Sequence, residues 1–143
     1  WKTGSMNIIA KLISTDNGRR VSLRRDGETQ DLSIPFGSPG SATGASGGEY
    51  LLLALATCYS NDLYREADKR GITVEQLEVE VEIQFGVEGE PARNVVYRVR
   101  LMADAPEQQL REMVNFIDRV AEIHNTLRLG IPVILNRVEA ISV

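Results

Sequence analysis

Two stretches of the chain alternate residue by residue between apolar and polar positions, and two others repeat apolar residues at helical spacing. LEVEVEIQF (residues 77–85) alternates without a fault, one face apolar and the other carboxylate or amide. That period of two predicts a half-exposed strand. NVVYRVRLM (residues 94–102) alternates again, with Arg98 and Arg100 outward, and GVEGEPAR turns the chain between the two. An antiparallel pair sets those arginines against Glu80 and Glu82. Such a charged face reads as a solvated surface.

Helical spacing joins Leu51, Leu52, Leu55, Cys58, Tyr59, Leu63 and Ala67. Ser46 and Glu49 form a capping box ahead of this run, and Gly71 is placed to end it. The first two turns are apolar nearly all round, which predicts a buried helix. A second stripe joins Leu110, Met113, Val114, Ile117, Val120 and Ala121. It opens on another capping box, Asp104 and Glu107, with Pro106 in the first turn. HNTLRLG (residues 124–130) either extends this helix or forms a short separate one.

Ahead of the first helix the pattern is a β-meander. NIIAKLIS (residues 7–14) and RRVSLRR (residues 19–25) are strands joined by TDNG, in which Asn-Gly is a hairpin signal because both residues tolerate positive φ. DGET turns the chain into a third strand, QDLSIP (residues 30–35). FGSPGSATGASGG (residues 36–48) is a long loop of the kind that carries function. IPVILNRVEAISV (residues 131–143) reads as a closing strand. The order β-β-β, long helix, β-β, helix, β predicts an α+β fold with antiparallel sheet. One small sheet covers only one side of an apolar helix, so a partner subunit is expected to cover the rest.

Composition adds limits. The chain has 143 residues, 43% hydrophobic and 25% charged, which suits one globular domain. WKTGS reads as an expression-tag remnant over residues 1–5, leaving residues 6–143 as a single domain with Met6 as the native start. A net charge of −4 argues against nucleic acid as a partner. No run approaches the roughly 18 apolar residues of a membrane span, and no signal-peptide pattern opens the chain. The single cysteine, Cys58, makes an intrachain disulfide impossible and fits a reducing cytoplasm. No phosphate-cradling Gly-rich motif or metal-ligand spacing appears, so no cofactor and no metal are expected.

Four stretches together resemble the OsmC/Ohr-like proteins. They are GEYLLLALATCYSNDLYREADKRGI around Cys58, the strand LEVEVEIQF after it, the meander NGRRVSLRRDGE before it, and NTLRLGIPVIL near the end. The resemblance implies an OsmC-like fold: an intertwined homodimer with antiparallel sheets around long central helices. It also implies a function, the reduction of small organic hydroperoxides. In such relatives a peroxidatic Cys attacks the peroxide and a second Cys resolves the sulfenic acid as a disulfide. Cys58 matches the first. Where relatives often read Cys-Pro-x-Ser-x-x-Leu, this chain reads AEIHNTL, with Ala121 at the resolving position and His124 at the Ser. The resemblance therefore implies a divergent member that uses an external thiol as reductant.

Cys58 is also readable as core packing, since free Cys behaves as a small hydrophobe and burial alone raises its pKa. An Arg would activate it. The resemblance points to the meander, at Arg19 or Arg20, with a Glu near the start of the cysteine helix to hold the Arg. Glu49 is the candidate, although typical Ohr proteins carry that Glu where this chain has Gly48. Glu49 also has its capping role, and both arginines also read as strand charges beside a turn. Tyr59, Leu55, Phe36, Ile123 and His124 are candidates to line a substrate pocket. The alternative is a non-enzymatic homodimer of the same fold that binds a small apolar ligand.

Overall fold

The computed structural model describes residues 5–38 and 40–143. The chain divides into two units, one up to Tyr50 and one from Leu51 to Val143.

The first unit holds a three-stranded antiparallel sheet in the order β1 (Ile8–Thr15), β2 (Gly18–Arg25), β3 (Glu28–Leu32). Thr15 pairs with Gly18, so Asp16 and Asn17 are the two loop residues of the first hairpin. The turn thus falls one residue earlier than Asn-Gly suggests, and the left-handed demand falls on Gly18, at φ 151°. In the second hairpin Asp26 (φ 47°) and Gly27 (φ 89°) both take positive φ, the geometry of a primed turn that follows the strand twist. β3 starts at Glu28 and stops at Leu32, short of the expected end at Pro35, which has no N–H to offer a ladder. Val21 is the one buried side chain among the described residues of this unit, while Ile8 and Leu12 stand 58% and 48% exposed.

The cysteine helix, α1 (Gly47–Lys69), begins as its capping box predicts. Glu49 N–H donates to Ser46 Oγ (3.2 Å), and Ser46 N–H and Oγ donate to Glu49 Oε1 (3.1 and 2.9 Å). It ends at Gly71, φ 68°, where Ile72 N–H donates to Ala67 O (2.9 Å) and Gly71 N–H to Asp68 O (3.2 Å). That double closure satisfies carbonyls the helix would leave open. Leu55, Tyr59, Leu63 and Ala67 are its buried stripe. The expected burial of the first two turns is not met within the chain: Leu53 is 60% exposed, because only one side of the helix has neighbours to pack on.

The second unit adds an antiparallel pair, β4 (Val74–Gln84) and β5 (Arg93–Ala103). Glu80 lies opposite Arg98 and Glu78 opposite Arg100, so Arg100 faces Glu78 rather than Glu82. Arg98 reaches diagonally to Glu82 at 2.8 Å. The apolar faces of both strands pack on Tyr59, Leu63, Ala67, Met113 and Ile117.

Helix α2 (Glu107–Val120) supplies Met113 and Ile117 to that core. Its N-cap is Pro106, with no side-chain cap, and the Asp104–Glu107 box does not form. Ala105 precedes a proline, which disfavours helical ψ at Ala105, and the helix starts only after Pro106. Asp104 N–H donates instead to Thr73 O (3.0 Å), at the end of the sheet. At Ala121, ψ is 113°, and the chain breaks into a separate short helix, α3 (Glu122–Leu129), closed by Gly130 at φ 65°. The expected closing strand is absent: residues 131–143 have no regular structure and lie exposed, Val133 at 98% and Leu135 at 83%. A strand exists only beside another strand, and no described residue of this chain pairs with that segment. No helix among the described residues is long and apolar enough to cross a membrane.

Candidate functional site

Cys58 sits in the middle of α1, one residue before the buried Tyr59, with its thiol free and half-buried. It therefore belongs to the flank of the packed stripe and not to its centre. Ala121, at the position of the missing second thiol, is fully buried at the break between α2 and α3.

The other proposed catalytic groups lie in the first unit. Arg19 is fixed by carbonyls of its own neighbourhood. Its Nε donates to Ala42 O (2.6 Å) and its Nη1 to Thr15 O (2.8 Å) and Gly18 O (3.2 Å). Its guanidinium lies 5.6 Å from the centre of the Phe36 ring, so the structure brings Arg19 and Phe36 together. Arg20 is exposed and lies opposite Ile13 in the ladder. Glu49 serves the helix start, and its carboxyl is held below its usual value by the Ser46 backbone N–H and then the Ser46 hydroxyl.

In the second unit Leu55, Tyr59 and His124 gather around residues that sequence reasoning missed. Tyr59 O–H donates to Val114 O (2.8 Å). Its ring meets Tyr97 edge-on at 5.4 Å, and Tyr97 in turn meets His124 edge-on at 4.7 Å. Tyr97 O–H donates to the Asp118 carboxylate. Arg128 Nη2 pairs with the same carboxylate at 2.8 Å, and its Nη1 donates to Asn125 Oδ1 and Asp118 O, each at 3.0 Å. A cavity of about 210 Å³ opens beside this group, lined by Leu55, Val81, Val95, Tyr97, His124, Leu127 and Arg128. Ile123 is exposed on α3 and does not line it. Tyr97 was visible in the sequence only as one apolar-face position of β5. Asp118 and Arg128 carried no signal, because their pairing depends on the break at Ala121.

His124 is 5% exposed, and neither ring nitrogen has a hydrogen-bond partner. Burial, and then the Arg128 charge, push its pKa below the usual imidazole value, against the opposing pull of Asp118 and Asp62. The Tyr97 hydrogen bond, followed by Arg128, holds Asp118 below its usual value, while burial pulls the other way. These shifts fix a pH dependence. A depressed folded pKa contributes stability above the unfolded value and loses it as pH falls. For His124 the loss starts below about pH 6.5, and for Asp118 below about pH 4. Denaturation midpoints are expected to fall between neutral pH and the start of carboxylate titration, and His124→Phe to flatten that segment. A wild-type midpoint constant across that window would contradict the buried neutral imidazole.

The chain matches the family model described as "OsmC-like protein" over residues 39–136. Among solved structures it is similar to an OsmC-like protein from Mycoplasma pneumoniae, with a TM-score of 0.60 and 18% identity over 89% of each chain. An OsmC-like hydroperoxide resistance protein from Jannaschia matches at 0.54, with 12% identity over 94% of this chain and 93% of that one. The organic hydroperoxide resistance protein OhrB of Bacillus subtilis matches at 0.51, with 16% identity over 90% and 94%. No curated protein matches the sequence significantly.

Proposed function

The chain belongs to the OsmC-like family, and on that premise we propose that it is a one-cysteine thiol peroxidase that reduces organic hydroperoxides. The observation that carries the reading is the place of Cys58: a free, half-buried thiol on the central helix of the family-matched segment. The hydroperoxide resistance named for two of the similar structures supports the substrate class.

The chemistry balances with one protein thiol. The Cys58 thiolate attacks the terminal oxygen of the hydroperoxide, forming an S–O bond as the O–O bond breaks. The sulfur loses two electrons, and the departing alkoxide takes a proton to leave as alcohol. With Ala121 in place of a second thiol, the sulfenic acid meets an external thiol, which forms a mixed disulfide and releases water. A second external thiol then frees the Cys58 thiolate and leaves as the disulfide. A cation beside the sulfur promotes the first step by favouring the thiolate. In this reading Arg19 or Arg20 supplies it. Arg19 suits the task, since Nη2 has no hydrogen-bond partner among the described residues while the rest of its guanidinium is fixed. Glu49 holds the start of the helix that carries Cys58.

The reading includes a homodimer. Leu53 and Tyr64 are 60% and 52% exposed on α1, and the apolar segment 131–143 lies exposed among the described residues. A second copy offers both an equivalent helix face and strand edges for that segment. Sedimentation at micromolar concentration is expected to give the mass of two chains. A folded monomer would contradict this part of the proposal. For the activity itself, Cys58 is expected to be oxidised by cumene hydroperoxide faster than free cysteine is, and faster than by hydrogen peroxide. Each buried CH₂ of the organic group adds roughly 0.8 kcal/mol of binding. Equal rates for protein and free cysteine would overturn the enzymatic reading.

A further inference from the structure

The cavity of the second unit lies apart from the thiol, since Cys58 is not among its lining residues. Leu55, Val81, Val95 and Leu127 give it aliphatic walls. Leu55 and His124 are buried at its floor, whereas Val95, Leu127 and Arg128 are exposed and form its rim. Three of the lining side chains are polar, and two of them have no donor to offer a guest. Both His124 ring nitrogens are shut off from solvent. The Tyr97 hydroxyl gives its hydrogen to Asp118. Arg128 differs. A guanidinium carries five N–H groups in a fixed plane. Three of those on Arg128 donate: two on Nη1, to Asp118 O and Asn125 Oδ1, each at 3.0 Å, and one on Nη2, to Asp118 Oδ1 at 2.8 Å. Nε–H and the second Nη2–H have no acceptor among the described residues. These two groups lie side by side on one edge of the guanidinium, the fork that takes both oxygens of a carboxylate.

We propose that this cavity binds a small monocarboxylate with an apolar body, its carboxylate bridging Nε and Nη2 of Arg128 at the rim and its body reaching the floor beside Leu55. The anchor is held by Asp118 and Asn125 before any guest arrives, so little side-chain freedom is lost on binding. Asp118 also accepts from Tyr97, so its own charge does not rest on Arg128 alone. An amine would find no carboxylate among the lining residues. Size sets the body. A dry protein cavity of about 150 Å³ accepts benzene, and this one holds about 210 Å³, room for a single ring or a chain of similar bulk.

The single histidine lies at the cavity floor, so its ring C–H signals report occupancy without assignment. Benzoate, benzamide and toluene are titrated in turn into the full-length protein at neutral pH. Benzoate is expected to shift those signals saturably and to bind roughly tenfold more tightly than toluene, the scale of hydrogen bonds to a charged group. Benzamide, which is uncharged, is expected to fall between them. Arg128→Lys keeps the charge but loses the fork, and is expected to remove most of the benzoate advantage while toluene still binds. Leu127→Trp fills the rim from an exposed position and is expected to abolish binding of all three. Cys58→Ser is expected to leave the benzoate affinity unchanged. Absence of a saturable shift with benzoate would overturn the site. Benzamide binding as tightly as benzoate, or an undiminished benzoate affinity in Arg128→Lys, would overturn the carboxylate anchor. Benzoate binding that survives Leu127→Trp would place the guest outside this cavity, and its loss in Cys58→Ser would overturn the separation from the thiol.

Discussion

Cys58→Ser is expected to reduce thiol-dependent consumption of organic hydroperoxide to the uncatalysed background while leaving the protein folded. The two halves of this result have different causes. A serine hydroxyl is not ionised near neutral pH and cannot take up and pass on the peroxide oxygen as a sulfenate does. No other cysteine exists to replace it. Structurally the change is mild, because Cys58 is half-buried on the flank of α1 while Leu55, Tyr59, Leu63 and Ala67 carry the packing. The variant should keep the wild-type circular dichroism and a denaturation midpoint close to wild type. Residual turnover in a folded Cys58→Ser protein would show that the chemistry resides elsewhere.

Tyr59→Ala is expected to have the largest effect on stability. The side chain is fully buried, meets the rings of Tyr97 and His124 at 5.4 and 6.0 Å, and donates to Val114 O at 2.8 Å. Truncating a buried aromatic costs about 3–5 kcal/mol through lost burial and the void left behind. Tyr59→Phe keeps the ring and removes only the hydrogen bond, about 1 kcal/mol. Denaturant titration of the two variants separates the contributions. A Tyr59→Ala loss no larger than that of Tyr59→Phe would mean that the ring cluster does not hold the unit together.

The contrast between the two capping boxes shows what could be read from the sequence. Ser46-x-x-Glu49 and Asp104-x-x-Glu107 have the same pattern, yet only the first forms. The difference is local and physical: Pro106 disfavours helical geometry at Ala105. The alternation of β4 and β5 was legible because one face is buried and the other is wet, and a period of two leaves no choice of face. Register was less so: Arg98 does face Glu80, but Arg100 meets Glu78. Residues 131–143 look like a strand because their residue types favour one, but pairing is a property of two segments and not of one. At the site, Leu55, Tyr59 and His124 were legible as helical positions and as the lone histidine. Asp118 was not, since its bond to Tyr97 joins two distant elements and its pairing with Arg128 arises only after the helix breaks at Ala121. Leu53 illustrates the remaining gap, because the pattern marks it as buried whereas within one chain it is exposed.

The most direct test is mass spectrometry of the protein after brief treatment with stoichiometric cumene hydroperoxide, with and without a sulfenic-acid trap such as dimedone. The account predicts one oxygen added at Cys58, capture of that species by the trap, no intrachain disulfide, and return to the free thiol when an external thiol is added. Excess peroxide should carry the same sulfur on to the sulfinic state. If Cys58 stays a free thiol under conditions that oxidise small thiols, the peroxidase account is contradicted and Cys58 is a packing residue.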